Sequence, residues 1–587
     1  MASSDGERLY VYSMHACSCS CSCSCVTTRT DAGLRPAGLG ALDVLPSAIL
    51  LSVLTEAGME PGLRRACRAL MALHDGNNMR MKLRGGVPPA GIPERMVSLA
   101  GRSPKLSTLA ATYLCRIDLA SICMAVPSPD QITTLELGPD KVSGSCTGQV
   151  VVRTNLPEAL RHTMGLQVLN LGDCDMCSTF VSIAPALAAL TGLSKLDLAS
   201  NGIGECKASV AALASSLRSL TALQHLDLNS NDLGDEEAAA LAPSLRRLTA
   251  LRCLNLGNNV LGDAGAQSLA GLSSLHDLNL ACDGIHRIGS VGAGAMLAGL
   301  TALRRLVLCY CKFTSEDGVA GALAPSMEGL TALQHLDLSL CNLGNRAAAL
   351  APALARMTAL LELDLRHNNM GDAGAVAIAP ALAAMTELRV LDLSGNIIGD
   401  DGAGALAAGI TALRELQELH LDCNNIGERG AAELAPALTA LTALEDLYLQ
   451  LNRFGDAGAA ALDPALGHLT ALLRLDLSQN NIGSAGAVAM APSLGHLSAV
   501  LRLNLSRNNI SDDGTVALAP SLGRMTALQG IDLSRNNIGD AGAGALALSL
   551  QGLRALTQLD VSRNNFSRVQ ADALDALDQC LIILEDL

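Results

Sequence analysis

Leucine recurs along this chain at a fixed beat. Between Leu193 and Asn564 fourteen stretches follow Leu-x-x-Leu-x-Leu-x-x-Asn or a close variant, then x-Ile/Leu/Phe and usually Gly-Asp, and a near relative begins at Leu166. The ninth position runs Cys174, Asn201, Asn231, Asn259, Asp283, Cys311, Cys341, Asn368, Asn396, Asn424, Asn452, Asn480, Asn508, Asn536 and Asn564, and from Asn368 onward the spacing is 28. Alternating apolar positions predict a short strand with one face inward. The residues after each Gly open on Asp235, Asp263, Asp372, Asp400, Asp456 or Asp540, good N-cap residues, and continue Ala/Leu-rich at helical spacing. One strand and one helix per unit predict an α/β solenoid, a horseshoe with parallel strands on the concave face and helices on the convex face.

Within the unit from Leu223, Leu223, Leu226 and Leu228 point inward, and Asn231 follows where the chain turns. A buried turn needs its backbone groups satisfied, and an Asn amide supplies both donors and an acceptor. Cys174, Cys311 and Cys341 are the small, buried substitutes. Pro243, Pro380, Pro464, Pro492 and Pro520 fall inside the helical stretches, which predicts a kink or a restart there. Strands about 4.8 Å apart and helices about 8–10 Å apart make the stack curve with the strands inside. Phe313, Phe454 and Phe566, two residues after the ladder position, read as core.

The phrasing Thr-Ala-Leu-x-x-Leu-x-Leu-x-x-Asn-x-Ile-Gly-Asp-x-Gly-Ala-x-Ala-Leu-Ala-Pro-x-Leu resembles the ribonuclease-inhibitor class of leucine-rich repeat, over residues 166 to 587. That class includes the Ran GTPase-activating proteins and the repeat domains of NOD-like receptors. The resemblance implies a binding scaffold and leaves the partner open.

The chain divides into a Cys/Ser low-complexity tail (1–35), a small helical segment (36–100), degenerate first repeats (101–165) and about fifteen regular repeats ending in a partial unit (166–587). Cys17 to Cys25 alternate with Ser and have no apolar face to bury, so disorder is expected. From Leu45 and Pro46 a helical pattern places Ile49, Leu50, Val53 and Leu54 on one face, and a second carries Leu63, Cys67 and Leu70. This segment resembles an F-box, with Leu45, Pro46, Ile49 and Leu50 on its opening and Cys67 on its second helix. Leu70 stands where that family commonly has Trp. The resemblance implies a ubiquitin-ligase linker subunit as partner, and a cap over the first repeat is the alternative. Leu114, Ile117 and Leu119, then Ile132, Leu135 and Leu137, read as degenerate strands, so the solenoid is expected to start near residue 110. At the other end the 28-residue phase puts the next first Leu at Leu584.

Composition narrows the classes. The 587 residues carry a net charge of −15, against a general nucleic-acid binder. No apolar run reaches the roughly 18 residues of a membrane span, and the start has no apolar signal core, so a cytoplasmic chain is expected, with nucleus or cilium open. The cysteines, 19 in all, show no secreted framework and are expected to be reduced. Phosphate loops, zinc-protease and nucleophile-elbow motifs are missing, and Cys174-x-x-Cys177 lacks a second pair. No catalytic residue, metal or cofactor is expected.

Attention therefore falls on the concave column between the second and third Leu. It reads Asn170, Asp197, Asp227, Asn255, Asn279, Val307, Asp337, Asp364, Asp392, His420, Tyr448, Asp476, Asn504, Asp532 and Asp560. The Asp residues are a generic solvated ladder on one reading and steer a partner with basic residues on the other. Two clusters break the column, Arg304, Arg305, Val307 and Tyr310, then Glu418, His420, Glu445, Asp446 and Tyr448. With Asp337, Asp364 and Asp392 between them, these are the candidate contacts, since Tyr and Arg are enriched at interface hot spots. Non-catalytic protein recognition is the expected function, with an F-box-type adaptor as its sharper form. A Ran-type GTPase activator acting on a small GTPase, or a structural part of a ciliary or cytoskeletal assembly, are the alternatives.

Overall fold

The computed structural model describes residues 50–54, 79–84, 106–112, 132–137, 149–282, 288–311, 319–577 and 581–584. All lie within one compact unit, 48–587. The tail cysteines, Leu45, Pro46, Ile49, Cys67, Leu114, Ile117, Leu119 and Phe313 lie outside the described residues. Each strand pairs in parallel with the one from the next repeat: Glu418–His420, for example, lies on Asp446–Tyr448 with Glu418 opposite Asp446 and His420 opposite Tyr448. The pairing is continuous from Leu50–Leu54 to Leu581–Ile583 in one sheet of 20 strands. A helix follows most strands, such as Asp400–Ile410 and Glu428–Leu438, and packs on the helices of adjacent repeats. Between sheet and helices runs an aliphatic core in which Leu388, Leu391, Leu393, Ile398, Leu406 and Leu413 of one repeat are all buried. Phe454 and Phe566 join it.

Three-residue strands satisfy few backbone groups, so side chains hold the turns. Asn424 Oδ1 accepts the N–H of Asn396 and of Ile398 in the preceding repeat, both at 3.0 Å. Its Nδ2 donates back to the Leu393 carbonyl at 3.0 Å and to Leu421 of its own turn. The same pattern repeats at Asn231, Asn368 and Asn396. Where Cys replaces Asn, the Cys341 thiol donates to the Leu308 carbonyl at 3.0 Å, one of the amide's contacts out of several.

A second ladder runs on the helix side and corrects the expected role of the aspartates. Asp400 is the first residue of its helix, whose cap is Gly399. Its carboxylate instead accepts Gly427 N–H at 2.7 Å and Gly430 N–H at 2.9 Å, the cap and third residue of the next helix. Asp235, Asp263, Asp372 and Asp456 do the same one repeat on. Each Asp thus caps its neighbour. The close approach demands glycine: a Cβ on Gly402 would stand 2.6 Å from Asp372 Oδ1.

The prolines do not restart the helices. Pro243 sits in the last turn of Asp235–Leu245, which continues through it. Both Pro243 and Ala239, four residues back, are exposed, so water can take up the carbonyl that loses its helical partner.

The N-terminal expectation changes most. Leu50, Val53 and Leu54 lie in a strand, Leu50–Leu54, paired with Met79–Arg84, where the spacing had suggested a helix. A short apolar run reads equally as a buried parallel strand, and periodicity alone does not separate the two. A further strand, Leu106–Thr112, leads to Thr134–Leu137, so the sheet begins well before residue 110. At the far end Leu581–Ile583 pairs with Gln558–Asp560 at an offset of 23, ahead of the 28-residue phase.

Replacing Asn424 with Ala should strip two buried N–H groups and two carbonyls of their partner and cost about 2–4 kcal/mol in urea unfolding. Asp400→Ala should cost about 0.5–2 kcal/mol, the range of a lost helix cap. Midpoints for both that match the wild type would contradict the two ladders.

Candidate recognition surface on the strand face

The column residues have a structural reason to be Asp or Asn. Asp337 Oδ1 accepts the Ser339 N–H at 2.9 Å, and Asp392, Asp476, Asp532 and Asp560 make the same bond two residues on. Asn170, Asn255, Asn279 and Asn504 do so through their side-chain carbonyls. The bond closes the strand end as an Asx turn. One carboxylate oxygen is therefore structural, and only the other is left for the face.

Repulsion along the column is relieved where Asn alternates with Asp. Asn255 Nδ2 donates to Asp227 at 3.0 Å, and Asn504 Nδ2 to Asp476 at 2.8 Å. Asp337, Asp364 and Asp392 have no such break, being direct neighbours in register. Arg366 is set against them, 3.3 Å from Asp364 and 3.9 Å from Asp392. Burial, with Asp337 and Asp392 on either side, nevertheless pushes Asp364 up to about 7. Three aspartates in unbroken register thus concentrate negative charge here, with Arg366 offsetting part of it.

Immediately beyond, the His420 and Tyr448 rings stack, centroids 4.5 Å apart and 18° from parallel. Burial disfavours a charged His420, but Glu418 at 3.7 Å, Asp422 at 4.0 Å and Asp392 outweigh it and raise its pKa. Asp446, opposite Glu418, is buried and ion-paired to Arg474. Burial raises its pKa in spite of Arg474, and its Oδ1 has no hydrogen-bond partner. Beside Tyr448 opens a hollow of about 380 Å³, floored at Gly530, where the strand has no side chain, and walled by Arg474, Arg502, Asp476 and Asp532.

The structure thus brings Glu418, His420, Asp446 and Tyr448 together, next to Asp337, Asp364 and Asp392. Glu445 is exposed just before the strand Asp446–Tyr448, its carbonyl bonded to Arg474 N–H at 3.0 Å. The other cluster is more dispersed. Arg304 and Arg305 are exposed, Val307 is buried, and Tyr310 lies past the strand with φ 64°, packed against the core. Arg305 and Val307 border a second hollow of about 430 Å³ with His225, Asp227 and Asp277. Sequence reasoning missed Asp422, Arg366 and Arg474. Their signal was present, a charge two residues beyond the column for the first two and a cation opposite Asp446 for the third, but only the register shows which carboxylates they face. Among the described residues no three His, Cys, Asp or Glu side chains group as a metal site.

Ten segments match a family model for the leucine-rich repeat: 219–242, 248–270, 329–349, 357–379, 384–407, 413–435, 440–462, 468–491, 498–519 and 526–547. The chain is a leucine-rich repeat protein. Among solved structures, a leucine-rich repeat protein of Leptospira interrogans is 21% identical over 73% of this chain and 98% of its own, with a TM-score of 0.50. An internalin of Listeria monocytogenes is 21% identical over 63% and 93%, TM-score 0.38. The TLR13 chain of a TLR13–ssRNA13 complex is 17% identical over 87% and 64%, TM-score 0.44. A search of curated proteins finds no match.

Asp364 gives this face a pH signature. Its carboxyl titrates near 3.9 in an unfolded chain and at about 7 in the fold. Its contribution to stability is complete below about pH 4 and is lost as pH rises through about 7. Asp364→Asn keeps the acceptor for the Arg366 N–H, 3.0 Å away, and removes the charge. It should stabilise the protein by roughly 2 kcal/mol at pH 9 and by little near pH 4. Equal unfolding midpoints for both proteins at pH 9 would refute the charge assignment.

Proposed function

We propose that the chain is a non-catalytic protein-recognition scaffold whose strand face, from Asp337 to Tyr448, receives a partner through basic and apolar side chains. The observation that carries this reading is the juxtaposition of three adjacent aspartates, held against their own repulsion, with a stacked His420–Tyr448 pair beside an open hollow. A lysine or arginine laid over Asp364 would relieve the repulsion and release its proton near neutral pH, while Tyr448 offers a rigid aromatic anchor. Leucine-rich repeats generally serve protein recognition, which supports the same class. The helix in nearly every 28-residue unit favours the ribonuclease-inhibitor subclass.

Sharper versions rest on less. An F-box-type adaptor implies helices at 42–84, whereas Leu50–Leu54 is a strand; a cap formed by the first strands accounts for that segment more simply. A Ran-type GTPase activator would need a turn asparagine free for chemistry, yet Asn396 and Asn424, for example, are buried and committed to backbone bonds on both amide atoms. A structural role in a cilium or cytoskeletal assembly has no specific observation in its favour. A cytoplasmic or nuclear setting suits buried thiols such as those of Cys311 and Cys341.

Affinity capture with the full-length chain should recover a protein whose binding Tyr448→Ala weakens by over about 1 kcal/mol, with thermal stability nearly unchanged. Equal affinity for both would sink the assignment of this face. A single-turnover assay with small GTPases separates the alternative: acceleration of about 10³-fold or more would make the chain an activator instead.

A further inference from the structure

The edge where the strands pass into the following loops carries the opposite charge. Around the turns of Asn424 to Asn536, a groove of about 620 Å³ is lined by Asn425, Arg453, Gln479, Asn481, Arg507 and Arg535 beside Leu451 and the ladder asparagines, with no carboxylate in its wall. Arg507 and Arg535 occupy one position in adjacent repeats, 28 residues apart, with φ of 53° and 57°. They and Arg453 are exposed.

These guanidinium groups are uncommitted. Arg366, Arg429 and Arg474 each meet an Asp, whereas Arg453, Arg507 and Arg535 form no ion pair with the described residues. In a chain of net charge −15, three neighbouring free arginines on a carboxylate-free edge are not explained by holding the repeats together.

We propose that this edge is a second interaction surface, for an acidic peptide segment lying across the repeats. Guanidinium forks bind carboxylates bidentately, and the Asn425, Gln479 and Asn481 amides can take the peptide groups between them. A nucleic acid fits less well. Its bases need aromatic or other stacking platforms, and no aromatic ring lines the groove. A peptide's carboxylates need no such platform.

The test is fluorescence anisotropy with the full-length protein and a labelled decapeptide of alternating Glu and Ser, against the Lys/Ser decapeptide and a ten-nucleotide thymidine strand. The Glu peptide should bind in preference to both, more weakly as salt is raised. The double variant Arg507→Gln with Arg535→Gln should bind it at least about tenfold less tightly, while Tyr448→Ala, on the other surface, should leave it unchanged. Thermal melts should confirm that the exposed substitutions leave the fold intact. Binding of the Lys peptide or the oligonucleotide as tight as that of the Glu peptide, or an unchanged affinity in the double variant, would overturn the proposal.

Discussion

The side-chain amide of the ladder asparagine is the interaction on which the rest depends. A chain that turns out of a three-residue strand into a loop leaves buried N–H and C=O groups that no ladder of strands can satisfy. Asn424 meets them in both directions, accepting from Asn396 and Ile398 and donating to Leu393 and Leu421. Because Asn396, Ile398 and Leu393 belong to the repeat before it, the residue that closes one turn also fixes the spacing to the next. The Asp400 to Gly427 and Gly430 bonds do the same on the helix side. Two rows of short polar side chains thus clamp an aliphatic core whose packing has no direction of its own.

That clamp dictates what each surface can be. The sheet is held in strict register, so equivalent positions of successive repeats become neighbours whatever their chemistry. Where the sequence offers Asp beside Asn, the pair bonds; where it offers Asp337, Asp364 and Asp392 in a row, charge accumulates and Asp364 is driven up to about 7. Adjacent repeats bring His420 under Tyr448 and Arg507 beside Arg535 by the same rule. Recognition chemistry here is written across repeats, seldom within one.

This explains which features were legible in the sequence. Leu391, Leu393 and Ile398 announce core and strand because period alone places them, and Asn396 announces the turn. The Asp column was visible too, but its Asx bonds to residues such as Ser339 were not anticipated, so charge was credited with work that hydrogen bonding shares. Asp400 was read within its own helix because sequence neighbours are easier to see than a glycine 27 residues away. Leu50 to Leu54 misled for a different reason: a short apolar run fits a helix face or a buried strand, and only its pairing with Met79–Arg84 decides. The tail cysteines and the opening Leu45–Pro46 lie outside the described residues.

Hydrogen–deuterium exchange on the full-length chain, with and without a captured protein partner, tests the central claim most directly. The account predicts slower exchange in the partner's presence over the strands and turns from His335 to Leu451, with the helices Asp400–Ile410 and Glu428–Leu438 little changed. Protection confined to those helices, with the strand face exchanging as in the free protein, would contradict it.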